Sequence, residues 1–177
     1  MWIGDESFQE LAELDPAGMR EWIRRHEPEE ESSYYWWGIA SRAQLGLYES
    51  RGASYGAAFA QLAVIATEEA AEHGALSEHD AAIGIAYVIA VHLAGGGEAG
   101  PFDVDAVVGR CLDLIEVPFA VAAARAPHWR ELPMPEIRAL RSARNLTGPC
   151  DMLADRVSDP EIAERLARWL RLRADLP

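Results

Sequence analysis

Two adjacent apolar stretches, Ser54–His73 and Ser77–Ala94, constrain the fold of this chain more than any other feature of its sequence. Both are rich in alanine and glycine, and both are apolar around most of a helical circumference. A helix that is apolar on all sides is normally a buried one. We therefore predict an all-α fold, a multi-helix bundle built around a buried helical hairpin.

Start and stop signals around this hairpin predict seven or eight helices in a single domain over residues 1–177. Asp15 is a candidate cap of the first helix, and Ser77 with Asp80 forms the start signal of the second hairpin helix. Gly74 is a natural end for the first hairpin helix. Residues 95–101 are the segment most like a linker, but we expect them to be too short to separate two domains.

Proline and glycine residues predict the helix boundaries in the C-terminal part of the chain. Pro118 is expected to kink or split the helix that begins after Asp103, because proline lacks the backbone N–H that an internal helical position needs. We also predict a break near Gly148, between a helix over about 136–145 and another over 149–157. Pro160 marks the start of the last helix.

The charge balance excludes several classes of partner. The chain has 29 acidic residues and 16 basic ones, all arginine, for a formal net charge of −13. This balance argues against nucleic-acid binding and against anionic membrane surfaces, since both need basic residues. It fits a basic partner or simple solubility. The composition, with no lysine and abundant alanine, favours a GC-rich bacterial origin.

The acidic residues are concentrated toward the N-terminus. Residues 1–124 have a net charge of −15, whereas residues 125–177 have a net charge of +2. We find no signal-peptide pattern at the N-terminus, and the uncharged runs are too short for a confident membrane span. Cys111 and Cys150 lie far apart and lack a CxxC spacing, so neither a disulfide framework nor a zinc site is expected. These features predict a cytoplasmic protein, with Cys111 in its core.

The first candidate site is a seam inside the hairpin. If its helices pack antiparallel, His92 lies within about a turn of Gln61 and about a turn and a half from Tyr87. Glu68 shares a helical face with Gln61. We interpret His92, Glu68 and Tyr87 as candidate acid–base residues and Gln61 as a ligand contact, in a mostly apolar pocket. The alternative is that Gln61 and His92 satisfy each other in a packed core.

A cluster of charges at the end of the first hairpin helix is the second candidate. The cluster contains two pairs of residues that are four positions apart. These pairs are Glu68 with Glu72 and Glu69 with His73. Two carboxylates on one face can perform acid–base chemistry or bind a divalent ion. The Glu-x-x-His pattern of di-iron bundles is absent. The simpler interpretation is a solvent-facing helix end, and no metal site is predicted.

Two further features suggest contacts with a partner or ligand. Four consecutive aromatic residues cannot all enter one core, because successive helical positions are about 100° apart; they are Tyr34, Tyr35, Trp36 and Trp37. The alternative for this block is a helix buried from two sides. Arg138, Arg141 and Arg144 form a stripe that can bind a carboxylate, phosphate or sulfate, or pair with the acidic part of the chain.

These patterns leave two hypotheses for function. None of the common nucleotide-binding, serine-hydrolase, zinc-protease or calcium-loop motifs is present, and we predict no cofactor. The first hypothesis is an acidic protein-interaction domain, either an immunity-type inhibitor of a basic toxin or an accessory subunit of a bacterial biosynthetic enzyme. Its partner is a different protein or a second copy of the chain. The alternative is a small-molecule enzyme or binding protein for an anionic ligand, which Arg138 or Arg141 would hold beside His92.

Overall fold

The computed structural model describes residues 10–11, 13–26, 32–49, 56–125, 128 and 131–175, and this part of the chain is all-α. It divides into two compact units, Met1–Phe102 and Asp103–Pro177. The unit boundary falls next to the glycine-rich segment 95–101. A single domain over 1–177 stays a prediction.

Seven α-helices lie within the described residues. The first unit contains four of them: α1 (Pro16–Arg25), α2 (Ser32–Glu49), α3 (Gly56–Glu72) and α4 (Glu78–Ala94). The second unit contains α5 (Val104–Ala124), α6 (Met134–Leu153) and α7 (Pro160–Asp175), with a short 3₁₀ turn over Ala154–Arg156 between α6 and α7. The predicted multi-helix bundle is confirmed, and no strand occurs in the described ranges.

Helix α3 is the centre of the first unit, where it packs against α1, α2 and α4. Four of its alanines are buried, namely Ala60, Ala63, Ala66 and Ala70. Small side chains on several faces allow three neighbouring helices to approach one helix closely. Gly84 of α4 lies against Thr67 of α3, where an added Cβ would meet the threonine methyl carbon at 3.5 Å.

Local capping signals place the helix ends of this unit. The Asp15 carboxylate accepts a hydrogen bond from the Gly18 N–H at 2.7 Å. The Ser77 hydroxyl accepts one from the Asp80 N–H at 3.1 Å and donates to the Asp80 carboxylate at 2.7 Å. Gly74, with φ of 73°, ends α3 in the left-handed conformation that favours glycine. The capping predictions for α1, α3 and α4 are therefore confirmed.

Helix α5 is the centre of the second unit and packs against both α6 and α7. Its buried stripe includes Val108, Leu112, Ile115 and Phe119. The Phe119 ring contacts the ring of Trp169 from α7 edge to face, with centroids 5.5 Å apart. Such a pair adds directional packing to the area that the rings bury.

Neither a split at Pro118 nor a break near Gly148 occurs in this unit, because burial outweighs the local effect of proline. Pro118 lies inside the continuous helix α5, between the buried residues Ile115 and Phe119. Pro149 lies inside α6, where Leu146, Thr147 and Cys150 are also buried. The predicted end near Gly148 is therefore wrong, since the apolar stripe of α6 continues through that position to Leu153. Tertiary packing of one face can maintain a helix across an unfavourable residue.

One carboxylate connects the start of α5 to the segment before α7. Asp105 accepts hydrogen bonds from the Ser158 hydroxyl, from the Ser158 N–H at 2.8 Å and from the Asp159 N–H at 3.1 Å. The hydrogen bond from Ser158 is the main reason that the pKa of Asp105 lies below its ordinary value. This contact fixes the entry to α7 relative to α5.

Within the described residues, no helix has both the length and the apolar character that crossing a membrane requires.

Candidate functional site

His92 lies at the end of α4, where it holds the following glycine-rich turn in place. The side chain is buried, and its Nε2–H donates to the Glu98 carbonyl at 3.2 Å. Its ring also meets Phe102 edge to face, with centroids 5.6 Å apart. The Gly97 N–H donates to the His92 backbone carbonyl at 3.0 Å. Both the ring and the backbone of His92 are thus engaged by the turn.

Gly97 packs directly on this ring, which gives a testable prediction. A Cβ on Gly97 would lie 2.2 Å from the His92 Cε1 atom, so Gly97→Ala must displace the imidazole. We expect this substitution to lower the free energy of unfolding by about 1–3 kcal/mol, the usual effect of overpacking. Gly100→Ala is the matched control, because an added Cβ there meets nothing within 4 Å. Urea unfolding of the two variants measures the difference, and equal stabilities would contradict this packing.

The other seam residues do not assemble around His92. The contact between Gly84 and Thr67 sets the register of α3 against α4. At about 1.5 Å of rise per residue, His92 lies about 12 Å along the axis from this contact, toward the start of α3. By the same count, Gln61 lies near the level of His92, whereas Glu68 lies toward the opposite end of α3. Tyr87 is 42% exposed. Among the described residues, no hydrogen bond joins Gln61 to His92.

The carboxylates of α3 face arginines of α1. Glu69 is completely buried, and Arg24 binds it through two hydrogen bonds, from Nη2 at 2.7 Å and from Nε at 3.2 Å. Arg20 also donates to Glu69 and forms an ion pair with Glu68 at 2.8 Å. Glu72 lies 3.8 Å from Arg24. Helix α1 is thereby attached to α3 by a network of charges, which we call the α1–α3 ion-pair network.

The electrostatics of this network keep Glu69 ionised. Burial alone would raise the pKa of Glu69, but the hydrogen bonds from Arg24 and Arg20 hold this pKa below its ordinary range. Burial likewise opposes the charge on Arg20, yet its hydrogen bonds to Glu68 and Glu69 raise its pKa. A carboxylate that two guanidinium groups neutralise is a weak base. Among the described residues, no group of three or more His, Cys, Asp or Glu side chains is arranged to hold a metal ion.

Sequence reasoning identified the carboxylates but missed their partners. Arg20 and Arg24 are four residues apart on α1, so they share one face. The same spacing relates Glu68 to Glu72 on α3. These matched spacings were the available signal, although they do not indicate which helix pairs with which.

Only part of the aromatic block lies within the described side chains. Tyr35 is buried, and its hydroxyl donates to the Ile23 carbonyl of α1 at 3.1 Å. One buried position fits both interpretations of the block, which therefore both stay predictions. The side chains of Tyr34, Trp36 and Trp37 lie outside the described residues.

The outward face of α6 carries the predicted arginine pair. Four residues lie on this face because the intervals between them are four, three and eleven residues, each close to a whole number of helical turns. They are Met134, Arg138, Arg141 and Met152. Met134 is 57% exposed and Met152 is 51% exposed. Arg138 and Arg141 are also exposed, and neither makes an ion pair within the part of the chain that the structure describes. We call these four residues the Arg–Met face.

Another arginine of the second unit, Arg165, forms ion pairs with carboxylates. Arg165 of α7 donates to Glu116 at 2.8 Å and to Asp113 at 2.7 Å, which joins α7 to α5. The hydrogen bond from Arg165 holds the pKa of Glu116 below its ordinary range, and Trp169 donates to the same carboxylate at 3.2 Å. Within the described residues, Arg138 and Arg141 are neighbouring cations on one exposed face and make no ion pair.

Comparisons with known proteins give no relative of this chain: no family model, no curated protein and no solved structure matches it. Its function is therefore argued from its own residues.

Proposed function

We propose that this chain is a protein-interaction domain that binds its partner through the Arg–Met face of α6. The observation that carries the proposal is the exposure of Arg138 and Arg141 side by side on one helical face, without ion pairs within the described residues, in a chain with 29 acidic residues and only 16 basic ones. Two neighbouring cations that make no ion pair within the described residues are available to an external anion.

The chemistry of this face fits a protein segment. A guanidinium group binds a carboxylate with two parallel hydrogen bonds, so Arg138 and Arg141 suit acidic side chains. Methionine adapts its shape to apolar side chains, and both arginine and methionine are enriched at protein interfaces. Met134 and Met152 lie beyond the two arginines on the same face. The partner would therefore present acidic side chains with apolar residues on both sides of them.

Of the two kinds of interaction protein, the Arg–Met face supports an accessory subunit. Residues 1–102 contain 17 acidic and 5 basic residues, for a net charge of −12, whereas residues 103–177 have a net charge of −1. An inhibitor of a basic toxin would use the acidic first unit. An accessory subunit that contacts an acidic segment would use α6. The proposal takes the chain as bacterial and cytoplasmic, and its free thiols support a reducing compartment.

The experiment compares charge variants as bait in extracts of the native host. Arg138→Glu with Arg141→Glu reverses the two charges of the face. Arg156→Glu with Arg171→Glu is the matched control, because these arginines of the same unit are also exposed and make no ion pair within the described residues. We expect the first variant to recover about tenfold less of a partner that the wild type retains, and the control to recover as much as wild type.

A third variant separates the two kinds of partner. Glu10, Glu13 and Glu98 are exposed acidic residues of the first unit. If their replacement by glutamine abolishes capture while Arg138→Glu with Arg141→Glu does not, the immunity-type inhibitor replaces the accessory subunit. Size-exclusion chromatography with light scattering identifies the remaining case, in which the partner is a second copy of the chain.

The hypothesis of an enzyme or binding protein for an anionic small molecule stays a prediction. Arg138 and Arg141 would bind such an anion as readily as a carboxylate of a protein. The proposed acid–base residues give it no support, because His92 holds a turn, Glu68 pairs with Arg20 and Tyr87 is exposed.

A further inference from the structure

The Arg–Met face of α6 contains two of the four methionines of the chain. Met134 and Met152 are each more than half exposed, whereas Met19 of α1 is completely buried. Met1 lies outside the described residues. Methionine is among the residues most often found in a protein interior. The two exposed thioethers therefore present oxidisable sulfur to the solvent, on the same helical face as the arginine pair.

The two methionines lie on either side of the arginine pair. Met134 precedes Arg138 by four residues, and side chains four positions apart on a helix are neighbours, with Cβ atoms about 5–6 Å apart. Met152 follows Arg141 by eleven residues, which corresponds to about three helical turns. A partner segment that covers the whole face therefore meets a thioether at each end.

We propose that Met134 and Met152 are reversible oxidation sites, through which hydrogen peroxide controls partner binding at the Arg–Met face. The inference rests on the proposed function, because it needs a partner that binds this face. Oxidation converts an apolar thioether into a polar sulfoxide, which disrupts interfaces that contain methionine. The sulfoxide oxygen of Met134 would also accept a hydrogen bond from Arg138, one turn away, and so compete with a carboxylate of the partner.

The reaction balances with hydrogen peroxide as the only oxidant. The thioether sulfur attacks one peroxide oxygen with a lone pair, an S–O bond forms, the O–O bond breaks and hydroxide leaves. The hydroxide takes the proton from the new oxygen and becomes water, which leaves the sulfoxide. Each methionine loses two electrons, and each peroxide supplies one sulfoxide oxygen and one water. Because neither step needs an ionised side chain, the exposure of the sulfur sets the rate.

The first measurement treats the native full-length chain with hydrogen peroxide and follows each methionine by peptide mass spectrometry. Met134 and Met152 should each gain one oxygen about tenfold faster than Met19, which peroxide reaches only when the first unit opens locally. This result needs no partner, so it tests the two sites separately from the proposed function. Oxidation of Met134 and Met152 no faster than that of Met19 would overturn the proposal.

The second measurement uses the oxidised chain as bait for the partner that the untreated chain captures. We expect the two sulfoxides to reduce capture about tenfold and methionine sulfoxide reductases to restore it, with one enzyme for each sulfoxide epimer. Restoration assigns the loss to methionine, because these enzymes do not repair oxidised cysteine or tryptophan. A loss of capture that the reductases leave in place would overturn the proposal.

The outcomes separate this inference from the proposed function. Undiminished capture by the fully oxidised chain would overturn control by oxidation, while the captured partner and the proposed function would remain. If the untreated chain captures no partner, the proposed function fails, and control of binding by oxidation fails with it.

Variants at the two methionines separate polarity from the loss of sulfur. Met134→Gln with Met152→Gln places polar side chains of similar length on the face and should lower capture without peroxide. Met134→Leu with Met152→Leu has no sulfur on the face, so peroxide should leave its capture at the level of the untreated variant. A loss as large as that of the wild type would place the effect elsewhere in the chain. Should the leucine variant capture no partner before treatment, the reductases still decide.

Discussion

Replacing both Arg20 and Arg24 with alanine should lower the free energy of unfolding of the first unit by about 3–5 kcal/mol, the range for a buried charge that loses its partners. The physical reason is that Glu69 would remain completely buried without either guanidinium group. Urea unfolding followed by circular dichroism measures the loss. Arg25→Ala is the matched control on the same helix, because Arg25 pairs with Glu21 at an exposed site, where about 0.5 kcal/mol or less is expected.

The double variant should also reverse the pH dependence of stability. In the wild type, the pKa of Glu69 lies below its ordinary value of 4.5, so the folded state binds fewer protons there than the unfolded state. Its contribution is complete above that ordinary value and is lost as the pH falls through the folded pKa. Without the arginines, burial raises the pKa of Glu69, and destabilisation grows as the pH rises. The two proteins should therefore differ more near pH 7 than near pH 4.

A third substitution separates charge from packing. Adding Glu69→Leu to the double variant removes the buried carboxylate and should restore most of the lost stability, because an apolar side chain needs no partner in the core. A double variant that loses less than about 1 kcal/mol and keeps the wild-type pH profile would show that the α1–α3 ion-pair network contributes little.

Phe119→Ala should lower the free energy of unfolding of the second unit by about 3–5 kcal/mol, as expected when a fully buried aromatic ring is removed. The ring packs from the C-terminal half of α5 against Trp169 of α7, and nothing on the smaller side chain replaces that contact. Hydrogen exchange should show faster amide exchange in α5 and α7. This measurement assigns the loss to the helices that the ring connects.

Val117→Ala is the matched control for Phe119→Ala. Val117 is two residues away on the same helix and is 70% exposed. Its truncation should change stability by about 0.5 kcal/mol or less. Equal effects at the two positions would contradict the orientation of α5, because they would require both side chains to be equally buried.

The sequence predicted those parts of the fold that depend on neighbouring residues. Asp15, Ser77 and Gly74 act within one helical turn, so their capping roles follow from local chemistry. The split at Pro118 and the break near Gly148 were wrongly predicted, because packing against distant helices decides whether a helix continues through a proline. The spacing of residues in the sequence does not indicate that packing.

The candidate sites show the same division between local and distant effects. His92 was correctly identified as a polar residue of the hairpin, but its partner is the turn that follows it rather than the seam. Glu69 accepts hydrogen bonds from Arg20 and Arg24, which lie more than 40 residues away in the sequence. Arg138 and Arg141 were identified from their spacing, whereas the exposed methionines beside them were missed.

The central claim is that the Arg–Met face of α6 binds a partner protein, and hydroxyl-radical footprinting tests it most directly. In the free chain, Met134 and Met152 are about half exposed and should oxidise readily, whereas the fully buried Met19 should not. In the complex with the captured partner, the account predicts strong protection of both Met134 and Met152. Oxidation of these two methionines at the same rate in the free chain and in the complex would contradict it.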